Sequence, residues 1–139
     1  MFAWDVVNEG LDEHGNPKDS IRSNKPGVGV SQKGTAYIEQ AFRWAHDADP
    51  DAMLFYNDNG GEGLGQKSDA VFAMLKDFKQ RGVPIDGVGL QMHIFKLDFD
   101  ASAVAANIAR LTALGLQVDL TEFEVSLPLD SSGQVRIED

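Results

Sequence analysis

Cysteine is missing from all 139 residues, which excludes disulfides and thiolate metal sites and leaves the redox compartment unreadable from thiols. Positive charge is scarce: 12 Lys and Arg stand against 22 Asp and Glu, a formal net charge of −10. A chain this acidic has no basic footprint for nucleic acid or an anionic membrane surface, so a neutral or cationic ligand fits better. No apolar run approaches the roughly 18 residues of a membrane span, and no basic stretch followed by a cleavable apolar segment precedes the first strand. Localisation is therefore not encoded in these residues. Metal-ligand spacing is missing as well. His93, Glu122, Glu124 and Asp58 are scattered donors with no His-x-x-x-His or Asp-x-Asp pattern, so neither a metal nor another cofactor is expected. Gly60 to Gly65 lacks the Gly-Lys-Ser/Thr ending of a phosphate loop and reads as a flexible loop.

What is present is one domain's worth of chain, long enough for a real core but short of the about 250 residues of a closed eight-unit α/β barrel. It begins directly in a strand, without cap or turn. Residues 1–139 are therefore expected to come from the middle of a larger domain, truncated at both ends.

The first strand, Phe2 to Gly10, is an apolar run that breaks into Asn8 and Glu9. Its composition suits a strand covered on both faces, as in parallel sheets wrapped by helices. Because side chains alternate along a strand, Asn8 and Glu9 share one cavity only if the strand bends or ends there. A polar segment follows, Leu11 to Lys33, with turn chemistry at Gly15-Asn16-Pro17, Lys25-Pro26-Gly27 and Gly29. It is expected to lack structure and to be mobile or substrate-facing. A helix from about Thr35 to Asp47 carries Tyr37, Ile38, Ala41, Phe42 and Ala45 as one apolar stripe.

The pattern then repeats. Ala52 to Tyr56 is a strand running into Asn57-Asp58, and a helix spans about Lys67 to Arg81 with Gly82 as its C′ residue. A third strand runs from Gly87 to His93, with Val88, Leu90 and Met92 on one face and Gly87, Gly89, Gln91 and His93 on the other. A third helix starts at an Asp100 N-cap and ends at Leu114, closed by Gly115. The fourth strand, Leu116 to Thr121, breaks into Glu122-Phe123-Glu124, and the tail from Ser126 reads as a loop. Four strands alternating with three helices specify an α/β fold with a parallel sheet and right-handed crossovers. In such sheets the site lies beyond the strand C-termini, where Glu9, Asn57, His93 and Glu122 all fall.

Two carboxylates converging from separate strands suit glycoside hydrolysis. One protonates the leaving oxygen, and the other faces the oxocarbenium-like transition state as nucleophile or base. Their pKa values must be pushed apart, with the acid kept protonated by burial or by its neighbour's charge. Gln91, His93 and Asn8 can supply hydrogen bonds to sugar hydroxyls or to the nucleophile. Against this, a strand-end carboxylate is often an ordinary turn residue, and a strand-end histidine often bonds only backbone. His14 and His46 read as solvated.

Four stretches together resemble successive strand signatures of glycoside hydrolase family 10, the retaining endo-β-1,4-xylanases: Trp4-Asp5-Val6-Val7-Asn8-Glu9, Phe55-Tyr56-Asn57-Asp58, Gly87-Val88-Gly89-Leu90-Gln91-Met92-His93 and Val118-Asp119-Leu120-Thr121-Glu122. The resemblance covers about residues 2 to 125 and implies a partial (β/α)8 TIM barrel, strands four to seven. It implies Glu9 as acid/base and Glu122 as nucleophile, with Asn8, Gln91 and His93 around the cleaved sugar, Asn57 beside them, and Glu124 and Tyr56 in support. It further implies xylan or xylo-oligosaccharide as partner and a secreted parent. The chain departs from the family pattern in two places. Asn59-Gly60 replaces Tyr-Asn, and Glu124 stands where the family has an Asp that orients the histidine.

The competing expectations are another retaining β-glycosidase of similar barrel, and a truncated barrel without activity that at most binds sugar. A half-closed barrel leaves two sheet edges open, which favours self-association through them.

Overall fold

The computed structural model describes residues 2–24, 34–95, 99–129 and 131–135. Lys25, Pro26, Gly27 and Gly29, assigned above to turns, lie outside them. The main sheet has four parallel strands in the order β1 (Ala3–Asn8), β2 (Met53–Asp58), β3 (Gly87–Leu90) and β5 (Gln117–Leu120). They are connected by α2 (Ala36–Ala48), α3 (Gln66–Gln80) and α4 (Ala101–Thr112). The strand–helix alternation and parallel sheet read from the sequence are both present. Three further elements are not evident from the sequence. A single-turn helix, α1 (Ile21–Asn24), sits inside the first long loop. Beyond the main sheet, the two-residue strand β4 (His93–Ile94) pairs with β6 (Glu124–Val125).

One face of the sheet packs on the helices. Leu54 and Tyr56 of β2, Val88 and Leu90 of β3, Ile38 and Phe42 of α2, Leu75 and Phe78 of α3, and Leu111 of α4 form one cluster. Phe42 and Phe78 meet edge to face at 6.4 Å, which locks α2 against α3. Each fully buried side chain here contributes about 1.5–3 kcal/mol of transfer free energy. The helix ends follow the sequence. Gly82 takes φ 67 after α3, as a C′ glycine does, and the Asp100 carboxylate accepts from the backbone N–H groups of Ser102 and Ala103 at the start of α4.

The opposite face is the one a barrel would enclose, and here glycine is a spatial requirement. A Cβ on Gly87 would lie 2.2 Å from the Phe55 ring, and one on Gly89 only 2.3 Å from Asn57 Oδ1 and 2.7 Å from Thr121 Cγ2. The glycine face expected of β3 therefore lets side chains of both neighbouring strands cross over it.

Three expectations need correction. β1 is not covered on both faces: Trp4 is 43% exposed, and among the described residues β2 is its one sheet neighbour. β3 ends at Leu90 rather than His93, since Met92 turns to φ 63 and breaks the pleat before His93 starts β4. The Gly60–Gly65 segment is tethered, not loose. Asn107 Nδ2 donates to the carbonyls of Gly61 (2.8 Å) and Glu62 (3.0 Å), and Glu62 Oε1 accepts from the Gly60 and Met92 backbone.

Candidate active site

The site is assembled where the four strands end. β1 stops at Asn8 and the next residue, Glu9, takes the left-handed conformation with φ 53, while its N–H donates to Asn57 O at 2.8 Å. A non-glycine residue at this φ is uncommon and costs energy elsewhere in a chain. Here it resolves the alternation problem, because the left-handed turn lets adjacent Asn8 and Glu9 face one region. A bulge between Asp5 and Val7 adjusts the approach of β1.

Three side-chain amides join the two carboxylates. Asn57 Nδ2 donates to Glu122 Oε1 and to Asn8 Oδ1, both at 2.9 Å. Gln91 Nε2 donates to Asn8 Oδ1 at 3.0 Å and to Glu9 Oε1 at 3.4 Å. Asn57 Oδ1 is in turn held by the Thr121 hydroxyl at 2.6 Å. Asn57 and Gln91 are buried, at 3% and 1% exposure, whereas the Glu9 and Glu122 side chains are 36% and 43% exposed. Buried amides from the sheet centre thus hold half-exposed carboxylates from its edges.

His93 Nε2 lies 2.9 Å from Gln91 Oε1 and 3.4 Å from Glu122 Oε2. On the ring's far side Glu124 Oε1 stands 3.0 Å from Nδ1, yet Nδ1 is buried without a hydrogen-bond partner. The separation is right but the carboxylate sits off the direction of a ring N–H, so the contact is not a hydrogen bond. Tyr56 supports from behind. It faces the helices, is fully buried, and hydrogen-bonds the Asp58 carboxylate and the Gly10 backbone. Burial, followed by the charge of Asp58, pushes its phenol far up, so it stays neutral. Asp58 itself pairs with the buried Lys67 at 2.8 Å.

All of Asn8, Glu9, Asn57, Gln91, His93, Glu122 and Glu124 therefore come together, and Tyr56 stands one layer back. His14 and His46 are exposed. Among the described residues no group of three or more His, Asp or Glu side chains is arranged as metal ligands. Three contributors were not anticipated. Lys18 Nζ reaches Glu9 Oε2 at 2.9 Å. Thr121, adjacent to Glu122 in the fourth motif, orients Asn57. Asp5 has its pKa raised by burial first and then by the charges of Glu122 and Asp119. A cavity of about 700 Å3 runs along β1 past Asp5, Asn8, Glu9, Lys18 and Trp44 and touches the site from one side.

One expectation about charge fails. Glu9 is not pushed toward its protonated form. The Lys18 hydrogen bond first, and the Gln91 hydrogen bond second, hold its carboxyl below the ordinary value, outweighing burial.

The chain is similar to known proteins. The model of the family described as Glycosyl hydrolase family 10 matches residues 1–138. Endo-1,4-beta-xylanase B of Thermotoga neapolitana is 41% identical over 129 residues, which are 93% of this chain and 35% of that protein. The crystal structure of native xylanase 10B from Thermotoga maritima superposes with a TM-score of 0.83 at 41% identity, over 94% of this chain and 38% of that one. Xylanase 10B from Thermotoga petrophila, solved in complex with xylobiose, gives 0.78 at 42% identity, over 88% and 36%. The chain thus spans little more than a third of these relatives and forms part of a (β/α)8 barrel. A family match over nearly every residue and a shared fold at this identity place the chain in glycosyl hydrolase family 10.

Proposed function

We propose that this chain is part of the catalytic domain of a retaining endo-β-1,4-xylanase and carries both reacting carboxylates, Glu9 as acid/base and Glu122 as nucleophile. The observation behind this reading is the amide bridge: Asn57, Asn8 and Gln91 couple a carboxylate at one sheet edge to a carboxylate at the other. In the first step a Glu122 oxygen attacks the anomeric carbon, the glycosidic C–O bond breaks, and Glu9 gives its proton to the departing oxygen. In the second, Glu9 takes a proton from water, the water oxygen bonds the anomeric carbon, and Glu122 is released. Asn57 orients the attacking oxygen, and His93 flanks the other Glu122 oxygen. Retention calls for carboxyl groups about 5–5.5 Å apart.

The substrate class follows the relatives' names and the bound xylobiose of one neighbour. The test is cleavage of an aryl β-xylobioside by the 139-residue chain, with the anomer first released read by proton NMR. The β-anomer is expected, with Glu9→Ala and Glu122→Ala each losing on the order of 10²–10⁴-fold. An α-anomer, or turnover surviving Glu122→Ala, would sink the mechanism. Faster release of cellobiose from β-glucan than of xylobiose from xylan would move the substrate class. A chain that binds xylobiose without cleaving it would match the inactive-barrel reading. The same proposal includes self-association. β1 and β5 are open edges flanked by exposed Phe2, Trp4, Leu120 and Phe123, so sedimentation at micromolar concentration should show dimers.

A further inference from the structure

The loop after β1 is built with more care than a connector requires. Leu11 is 2% exposed and pairs with Pro17 in an antiparallel bridge. Asp12 N–H donates to Asn16 O at 2.7 Å, while Asp12 Oδ1 accepts the N–H groups of His14 (2.9 Å) and Asn16 (2.8 Å). Gly15 takes φ 79 and lies so close to α3 that a Cβ on it would come within 2.4 Å of Ala70 Cβ. The loop closes when Lys18 N–H donates to Gly10 O at 2.9 Å, and Ser23 Oγ donates to Lys18 O at 2.6 Å. The Lys18 backbone is thereby pinned on both sides, and its ammonium lands 2.9 Å from Glu9 Oε2. An ion pair between two half-exposed side chains contributes about 0–1 kcal/mol to folding, so stability is a poor explanation for this bracing.

We infer that Lys18 is a positioning residue for the acid/base carboxylate: the braced loop returns an ammonium to Glu9 and orients its Oε2 before substrate arrives. This inference rests on the reading of Glu9 as the acid/base. The two Glu9 oxygens have separate donors, Lys18 on Oε2 and Gln91 on Oε1. Asn59 also faces Glu9 from the end of β2. Glu122 lies beyond Asn57, His93 beyond Gln91, and Asp5, Asp19 and Arg22 line the adjoining cavity. The consequence divides the two chemical steps. An adjacent ammonium reduces the protonated fraction of Glu9, which opposes bond cleavage at high pH. It favours the charged base that must take the water proton in the second step.

The sign follows directly. Lys18 lowers the Glu9 pKa, so removing the ammonium raises it. The experiment is a carbon-13 carboxyl titration of the 139-residue chain, with the Glu9 signal assigned by its loss in Glu9→Gln. In Lys18→Met the Glu9 midpoint should move to higher pH, and in Lys18→Arg it should stay low. Where turnover is measurable, the alkaline limb of kcat/KM should move up with Lys18→Met as well. An unmoved midpoint in Lys18→Met, or an equal rise in Lys18→Arg, overturns the inference. Lys18→Gln gives a second neutral variant should Lys18→Met fold poorly. The titration needs no turnover, so absent hydrolysis counts against the proposed function and an unmoved midpoint against the role of Lys18.

Discussion

The centre and the edges of the sheet are made differently. β2 and β3 are buried along nearly their whole length and offer neutral groups to the site, Asn57 and, just past β3, Gln91. β1 and β5 are half-exposed and lead into the charged groups, Glu9 and Glu122. Within this chain the neutral groups are the rigid ones and the charged groups the open ones. Amides lose little on burial when fully hydrogen-bonded, so they can occupy the rigid centre, whereas a carboxylate there would carry a heavy desolvation cost. Charges stay at the wetter rim and take their orientation from the centre.

Gly89→Val should break that contrast most severely. The new side chain collides with Asn57 and Thr121, which overpacks the centre by about 3 kcal/mol or more and displaces the amide that holds Glu122. Urea denaturation together with the xylobioside assay reads both losses, and a stable, active variant would refute the packing argument. Asn57→Ala tests the centre's grip on the edges. Glu122 Oε1 loses its donor and Asn8 Oδ1 one of two, a loss of about 1–3 kcal/mol that should lower kcat/KM by roughly 10- to 100-fold. Glu124→Asp retracts the carboxylate by one methylene and should let it accept from His93 Nδ1. A slowly exchanging ring proton should appear by NMR, with stability higher by about 0.5–1.5 kcal/mol. Trp4→Gln is the smallest change. The indole sits on an open edge, so stability should shift by no more than about 0.5 kcal/mol, against about 2–5 for Leu54→Ala at the centre.

Much of the fold was legible locally. Periodicity located the three long helices, Asp100 and Gly82 marked a start and a stop, and the alternating glycines of β3 announced a crowded face. The errors share a cause. Composition alone makes β1 look buried, but an apolar strand is covered only where other layers pack on both its faces. Alternation carries β3 on to His93 because it cannot register a left-handed Met92. Gly60 to Gly65 looks loose in sequence because Asn107, its tether, lies more than forty residues away on α4. Lys18 went unnoticed because a lysine in a polar loop carries no signal until the loop closes.

The sequence alone determined the order of strands and helices, the residue types at each strand end and, through four motifs, the family, because these depend on local periodicity and on chemistry written in single residues. Tertiary structure alone decided which carboxylate oxygen meets which amide, that Glu9 faces an ammonium, and that His93 Nδ1 misses Glu124. Those outcomes rest on angles and on separations near 3 Å between groups distant in the chain, and hydrogen bonds and charge pairs are steep functions of both.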